Sequence, residues 1–80
     1  MNLIFMSKGF MEFFARRLKE LRKSRKKTQR EMAEYLRIGL RAYQYYESAE
    51  HYPDVPGLIA LADYFEVSAD YLLGRSDQRG

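Results

Sequence analysis

Residues 28–47 have the sequence TQREMAEYLRIGLRAYQYYE, and this stretch predicts two short helices joined by a tight turn. Thr28 can cap the first helix, and Glu31 completes a T-x-x-E capping box three residues later. Apolar residues recur at helical spacing in both halves: Met32, Ala33 and Leu36, then Ala42, Tyr43 and Tyr46. Because small Ala33 lets the helices cross closely, the second helix is expected to bury Tyr43 and Tyr46 and to hold its other face outward.

The outward face of that second helix carries an apolar group, a cation, an amide and an aromatic ring: Leu40, Arg41, Gln44 and Tyr45. Such a mixture suits contacts with base edges in a DNA groove. The alternative is an ordinary solvated helix face. Tyr45 is the ambiguous member, because its ring could meet a base, the sugar-phosphate backbone or only solvent.

Eighty residues allow one domain with a small core. The chain has no cysteine, which excludes disulfides and thiolate metal sites and makes a reducing cytoplasm the expected compartment. Its one histidine, His51, cannot by itself form a metal site or a nucleophile–base pair. We therefore expect no enzymatic activity, no cofactor and no metal.

Charge is distributed unevenly along the chain. Residues 1–41 hold 12 Lys and Arg against 4 Asp and Glu, a net charge of +8, whereas residues 42–80 hold 2 against 7, a net charge of −5. A basic half beside a pair of outward-facing helices favours a polyanionic partner such as double-stranded DNA. Residues 22–30 form a basic run. Within it, Arg25, Lys26, Lys27 and Arg30 are expected to contribute a diffuse positive field.

Three more helices are expected around this pair. Periodicity predicts one over about residues 12–24, one after the Asp54 cap with Pro56 in its first turn, and a short one between the Ser68 cap and Gly74. The prediction is an all-α domain over residues 12–74 with five helices and no strand. Residues 75–80 are expected to form a polar tail that frays.

The apolar start of the chain, residues 1–11, is expected to be an N-terminal arm or a start-site extension. The stretch is too short to span a bilayer and lacks the features of a signal peptide, so no membrane association is expected.

Residues 16–74 resemble the Cro/CI-type helix-turn-helix domain of phage repressors and bacterial regulators, also called the XRE family. The resemblance rests on several motifs in order: T-Q-x-E-x-A-x-x-L, then Y-E before a loop that contains proline, then L-x-x-L-A-x-x-F-x-V-S-x-D-Y-L-L-G. It implies the five-helix lambda-repressor-like fold, with the helix-turn-helix at residues 28–47 and the third helix in the major groove of operator DNA.

By matching position, the resemblance also implies roles for single residues. Leu40, Arg41, Gln44 and Tyr45 take the base-facing positions, and Thr28, Gln29 and Arg22 lie near phosphate. Arg41 would pair with guanine, Gln44 with adenine, and Leu40 with a thymine methyl group. Arg22 and Glu47 match a structural pair that orients the third helix.

This chain departs from the family pattern in three places. Arg37 replaces the usual glycine of the turn, and Gly39 stands where a Ser or Thr cap is common; the turn is therefore reshaped, or Arg37 adopts the left-handed conformation at a cost of about 1 kcal/mol. Glu66 replaces another common glycine. The loop of residues 48–51 is not basic, which puts phosphate contacts from it in doubt.

The resemblance implies a cytoplasmic, sequence-specific regulator, expected to repress by binding a two-fold operator as a homodimer and to need no small-molecule ligand. A protein partner or anti-repressor is one route of regulation. The dimer surface is expected either around residues 71–74 or on the N-terminal arm. The rival hypothesis is an antitoxin-like or other protein-interaction module on the same fold.

Overall fold

Five helices account for the fold. The computed structural model describes the backbone of residues 3–80 and the side chains of residues 11–80, and within these bounds it contains no strand. The helices are α1 (Leu3–Ser24), α2 (Gln29–Leu36), α3 (Leu40–Glu47), α4 (Val55–Phe65) and α5 (Ala69–Leu72). The predicted all-α, lambda-repressor-like fold is confirmed.

Helix α1 is longer than the sequence predicted. It begins at Leu3, whereas the apolar stripe indicated a start near residue 12. Propagating an existing helix adds one hydrogen bond for each residue that is fixed, and residues 3–11 contain no proline to stop it. Residues 3–11 are thus continuous with α1, while the side chains of residues 1–10, one of the two candidate dimer surfaces, lie outside the described residues.

One hydrophobic core joins all five helices. Its buried members include Phe14, Leu18 and Leu21 of α1, Met32 and Ala33 of α2, Tyr43 of α3, Leu61, Ala62 and Phe65 of α4, Val67, and Leu72 of α5. The core positions predicted for the helix pair are confirmed, because Tyr43 is fully buried and Tyr46 packs against the cluster from its edge. Helix α3 therefore has one face fixed by packing on both α1 and α2.

The predicted helix caps all form. Thr28 Oγ1 accepts a hydrogen bond from the Glu31 N–H at 3.0 Å, and Glu31 Oε1 accepts one from the Thr28 N–H at 2.8 Å. Asp54 caps α4 through the Gly57 N–H, and Ser68 caps α5 through the Tyr71 N–H. Each such cap is worth about 1 kcal/mol.

The turn between α2 and α3 has the left-handed geometry that the family obtains from glycine. Arg37 lies at φ 58° and ψ 43°, and its N–H bonds the carbonyls of Ala33 and Glu34. The Ile38 N–H also bonds the Ala33 carbonyl, at 3.0 Å, so the helix end is closed as in a Schellman motif. Of the two alternatives, the left-handed arginine is the one observed. Glu66 closes α4 in the same way, at φ 57°.

The C-terminal tail contacts α1 and the start of α5. Arg17 of α1 donates to the carbonyls of Tyr71 and Ser76, at 2.5 and 2.6 Å, and to the Asp77 carboxylate at 2.9 Å. The Ser68 N–H also bonds the Arg79 carbonyl at 2.5 Å. This docking was not predictable from local sequence patterns, because the contacts join residues that are far apart in the chain. Among the described residues, none of the helices is long and apolar enough to cross a bilayer.

Candidate nucleic-acid interface

The Glu47 carboxylate, at the end of α3, collects hydrogen bonds from three helices. Oε2 accepts from Arg22 Nε at 2.7 Å and from the Tyr43 hydroxyl at 2.5 Å. Oε1 accepts from Arg22 Nη2 at 3.0 Å and from Gln29 Nε2 at 3.2 Å. The Glu47 side chain is only 3% exposed, so these donors replace water around a buried charge. The carboxylate thereby ties α3 to α1 and α2.

Protonation equilibria at this cluster reflect the same contacts. Burial alone would raise the pKa of Glu47, but the hydrogen bonds from Arg22, Tyr43 and Gln29 outweigh it and hold that pKa below its usual value. The hydrogen bond to Glu47 raises the pKa of Arg22. Burial, and then the hydrogen bond to Glu47, raise the pKa of Tyr43 well above its ordinary value. At neutral pH the ion pair is therefore charged, and the Tyr43 hydroxyl keeps its proton.

Gln29 carries the cluster outward to the surface. Its Nε2 donates to Glu47, and its Oε1 accepts from Gln44 Nε2 at 3.2 Å. Gln29 is half-buried and Gln44 is exposed. A continuous line of hydrogen bonds thus runs from the core to a side chain on the outer face of α3.

A shallow hollow of about 310 Å³ opens beside these two amides, lined by Lys19, Gln29, Gln44, Glu47 and Ser48. Lys19 belongs to α1 and is exposed there. Its position beside the candidate base-contacting residues was not predicted from the sequence. Its spacing three residues before Arg22 was the available signal, since residues three apart share a helix face.

The four predicted base-facing residues share the outer surface of α3 but differ in exposure. Arg41 and Gln44 are exposed, whereas Leu40 and Tyr45 are half-buried. The Tyr45 ring meets the His51 ring edge-on, with centroids 5.1 Å apart. The Tyr45 ring is therefore partly covered by the loop that follows α3. Arg41 and Gln44 are the side chains most available to a ligand.

The start of α2 lies next to this surface. Thr28 is exposed, and as the cap it stands at the positive end of the helix dipole. Its oxygen accepts the bond from Glu31, which leaves the hydroxyl proton free to be donated. Backbone N–H groups at such a helix end favour an anion, including a phosphate group.

Two arginines of the basic run serve the fold itself. Arg22 bonds Glu47 and the Lys27 carbonyl, the latter at 2.8 Å, and only 9% of the residue is exposed. Arg25 was expected to contribute only diffuse charge, but it donates to the carbonyls of Tyr64 and Phe65 at the end of α4. Lys23, Lys26 and Arg30 remain exposed. Arg25 keeps its charge, because its partners are neutral carbonyls, whereas the charge of Arg22 is paired with Glu47.

The described side chains contain no cluster of His, Asp or Glu able to hold a metal ion. The geometry is instead that of a helix pair whose second member is fixed at its inner face and exposed at its outer face.

This arrangement defines a helix-turn-helix domain. The helix-turn-helix family profile matches residues 18–72, so the chain belongs to that family, as the resemblance to Cro/CI-type domains implied.

Named relatives share between a third and a half of the aligned residues. The chain is 44% identical over 59 residues to the cryptic phage CTXphi transcriptional repressor RstR of Vibrio cholerae, a match that covers 74% of this chain and 53% of the relative. It is 38% identical over 64 residues to the HTH-type transcriptional regulator YobD of Bacillus subtilis, covering 80% and 57%. ImmR, another HTH-type transcriptional regulator of that species, is 42% identical over 62 residues, covering 78% and 49%. The chain thus spans about half the length of these curated relatives, and no solved structure matches it.

Proposed function

We propose that this domain binds double-stranded DNA through α3 in the major groove and thereby regulates transcription. The observation that carries the proposal is the geometry of α3: its inner face is fixed by Tyr43 and Glu47, and Arg41 and Gln44 are exposed on its outer face. A fixed helix with exposed polar side chains of this kind can match the donors and acceptors of base pairs. The names of the relatives, a phage repressor and two HTH-type transcriptional regulators, support the same function.

Each side chain has a role in this proposal. Arg41 would contact guanine, Gln44 adenine, and Leu40 a thymine methyl group, while Tyr45 would contact the edge of the site. Thr28 and Gln29, at the start of α2, would bind a backbone phosphate, and Lys19 would add a second phosphate contact across the hollow.

Of the two roles that the resemblance implied for Arg22, we propose the structural one. Because its guanidinium bonds Glu47 and the Lys27 carbonyl and is almost fully buried, it would orient α3 rather than serve as a main phosphate ligand. A buried, bidentate arginine fixes geometry well, since its planar group holds two bonds at once.

The protein would act in the cytoplasm as a homodimer on a two-fold operator and would repress by occupying it. One recognition helix contacts only a few base pairs, and two-fold symmetry doubles the contact.

Selection of bound sequences from a random duplex pool, with the full chain, tests the proposal. We expect an enriched motif with two-fold symmetry, and we expect its affinity to fall steeply with salt because bound phosphates release counterions. A pool without any enriched motif would contradict sequence-specific binding and would favour a protein-interaction module. An enriched motif without symmetry would contradict only the dimer.

A further inference from the structure

We propose that the Tyr43 hydroxyl is a positioning group that sets the orientation of the Gln44 amide, acting through Glu47 and Gln29. Helical spacing predicted only that the Tyr43 ring fills space in the core. The inference deepens the proposed function and rests on it, because it concerns how one base-contacting side chain is aimed.

The hydroxyl completes the coordination of the Glu47 carboxylate. Tyr43 is fully buried, and its hydroxyl lies 2.5 Å from Oε2, the oxygen that also accepts from Arg22 Nε. The other oxygen accepts from Arg22 Nη2 and from Gln29 Nε2. Four donors thus surround the two oxygens, about as many as an ionised carboxylate can accept. Arg22 bonds both oxygens, and the Tyr43 hydroxyl adds a further donor on the Oε2 side, so the Oε1 side stays turned toward Gln29.

An ionised carboxylate only accepts hydrogen bonds, and this property determines the orientation of the Gln29 amide. Gln29 must present its NH₂ group to Glu47, so its oxygen faces the other way. That oxygen accepts from Gln44 Nε2 at 3.2 Å. Each amide in the line is therefore oriented by the one before it, starting from the buried charge.

The consequence for Gln44 is a defined pair of free groups. With one N–H engaged by Gln29, Gln44 keeps its Oε1 acceptor and its second N–H donor for a ligand. An acceptor beside a donor matches the N6 donor and N7 acceptor of adenine in the major groove. Rotating the amide by half a turn would exchange the two groups and lose both bonds. The buried hydroxyl would thus favour one base at an exposed position.

Replacing tyrosine by phenylalanine isolates the hydroxyl, since the ring keeps its place in the core. Tyr46→Phe is the matched control: Tyr46 lies on the same helix, packs at the edge of the core, and its hydroxyl has no hydrogen-bond partner among the described residues. The position contacted by Gln44 is first located as the base pair whose preference Gln44→Ala abolishes.

Affinities are then measured for the selected operator, for operators changed at that base pair, and for random duplex. Tyr43→Phe should reduce the preference at that base pair about tenfold, within the range that one bidentate contact provides, and leave binding to random duplex unchanged. Tyr46→Phe should change neither. A merely structural role would lower thermal stability without altering the preference.

If folded Tyr43→Phe keeps the wild-type preference at that base pair, the inference is wrong. The proposed function would still stand in that case, because the wild-type chain would have selected an operator motif. If Tyr43→Phe does not fold at the assay temperature, the same measurement uses Tyr43→Phe combined with Glu66→Gly. The second substitution relieves a left-handed residue at the end of α4, away from α3. Absence of any wild-type motif would instead refute the proposed function itself.

Discussion

Arg22 and Glu47 join α1 to the last residue of α3 by two hydrogen bonds, 2.7 and 3.0 Å long, between side chains that are 11% and 3% exposed. The Coulomb attraction of such a pair is largely offset by the cost of removing both charges from water. The pair therefore contributes mainly to the orientation of α3. Breaking it from one side leaves the other charge buried without a partner.

Removing the Arg22 side chain should therefore lower the stability of the folded domain substantially. Arg22→Met is expected to lower the free energy of unfolding by about 3–5 kcal/mol, measured by urea denaturation at pH 7. The matched control is Asp77→Asn, which breaks the Arg17–Asp77 pair; because Asp77 is 99% exposed, it should cost less than about 1 kcal/mol. Equal losses for the two variants would contradict the role assigned to the buried pair.

Stability should also fall at acid pH through Glu47. Its pKa in the folded protein lies below the ordinary value of 4.5, so the unfolded chain binds more protons in the interval between the two values. The stabilisation is present above about pH 4.5 and is lost as the pH falls through the folded pKa. Urea unfolding of Glu47→Gln between pH 7 and pH 3 should show a weaker pH dependence than the wild type. If both proteins show the same pH dependence of stability, the loss at acid pH arises from a group other than Glu47.

The left-handed residues at the helix ends offer stabilising substitutions. Arg37 and Glu66 lie at φ 58° and 57°, where glycine avoids the steric cost of a side chain. Arg37→Gly and Glu66→Gly should each raise the free energy of unfolding by about 1 kcal/mol. Gly74→Ala should do the opposite, because φ is +79° there and an added Cβ would lie 2.9 Å from the Phe13 side chain. A loss of stability in both glycine variants would show that side-chain contacts outweigh the backbone cost.

Lys19 should contribute to binding of every sequence alike. Lys19→Gln removes one phosphate contact, so the slope of log affinity against log salt should fall by about one, with base preferences unchanged. Arg75→Gln in the C-terminal tail is the control and should leave the slope as it is. A changed base preference in Lys19→Gln would mean that the lysine contacts a base instead.

Much of the fold could be predicted because its determinants are local in sequence. Thr28 and Glu31 lie within one helical turn of each other, and the capping box follows from that spacing. The burial of Tyr43 follows equally from helical periodicity. The docked tail could not be predicted, because Arg17 and Ser76 meet only after the chain has folded. The sequence also showed that Arg37 departs from the family pattern but could not decide which backbone conformation results.

At the candidate interface, residue types and helix faces could be predicted from the sequence, but the contacts between side chains could not. Arg41 and Gln44 are exposed on α3, where helical spacing placed them. Helical periodicity predicts which face a residue lies on but not which side chains meet. It therefore could not predict the hydrogen bond between Gln29 and Gln44 or the one from the Tyr43 hydroxyl to Glu47. For the same reason the position of Lys19 and the contacts of Arg25 with the end of α4 were not predicted.

The central claim, that α3 recognises DNA sequence, is tested most directly by the affinities of Arg41→Ala and Gln29→Ala for the selected operator and for random duplex. Arg41→Ala should weaken operator binding by about 1–3 kcal/mol and random-duplex binding far less, because a base contact gives specificity. Gln29→Ala should weaken both, since it removes a phosphate contact that has no sequence preference, and should weaken operator binding further because Gln44 loses the amide that orients it. Equal losses for operator and random duplex in Arg41→Ala would contradict the assignment of α3 as the recognition helix.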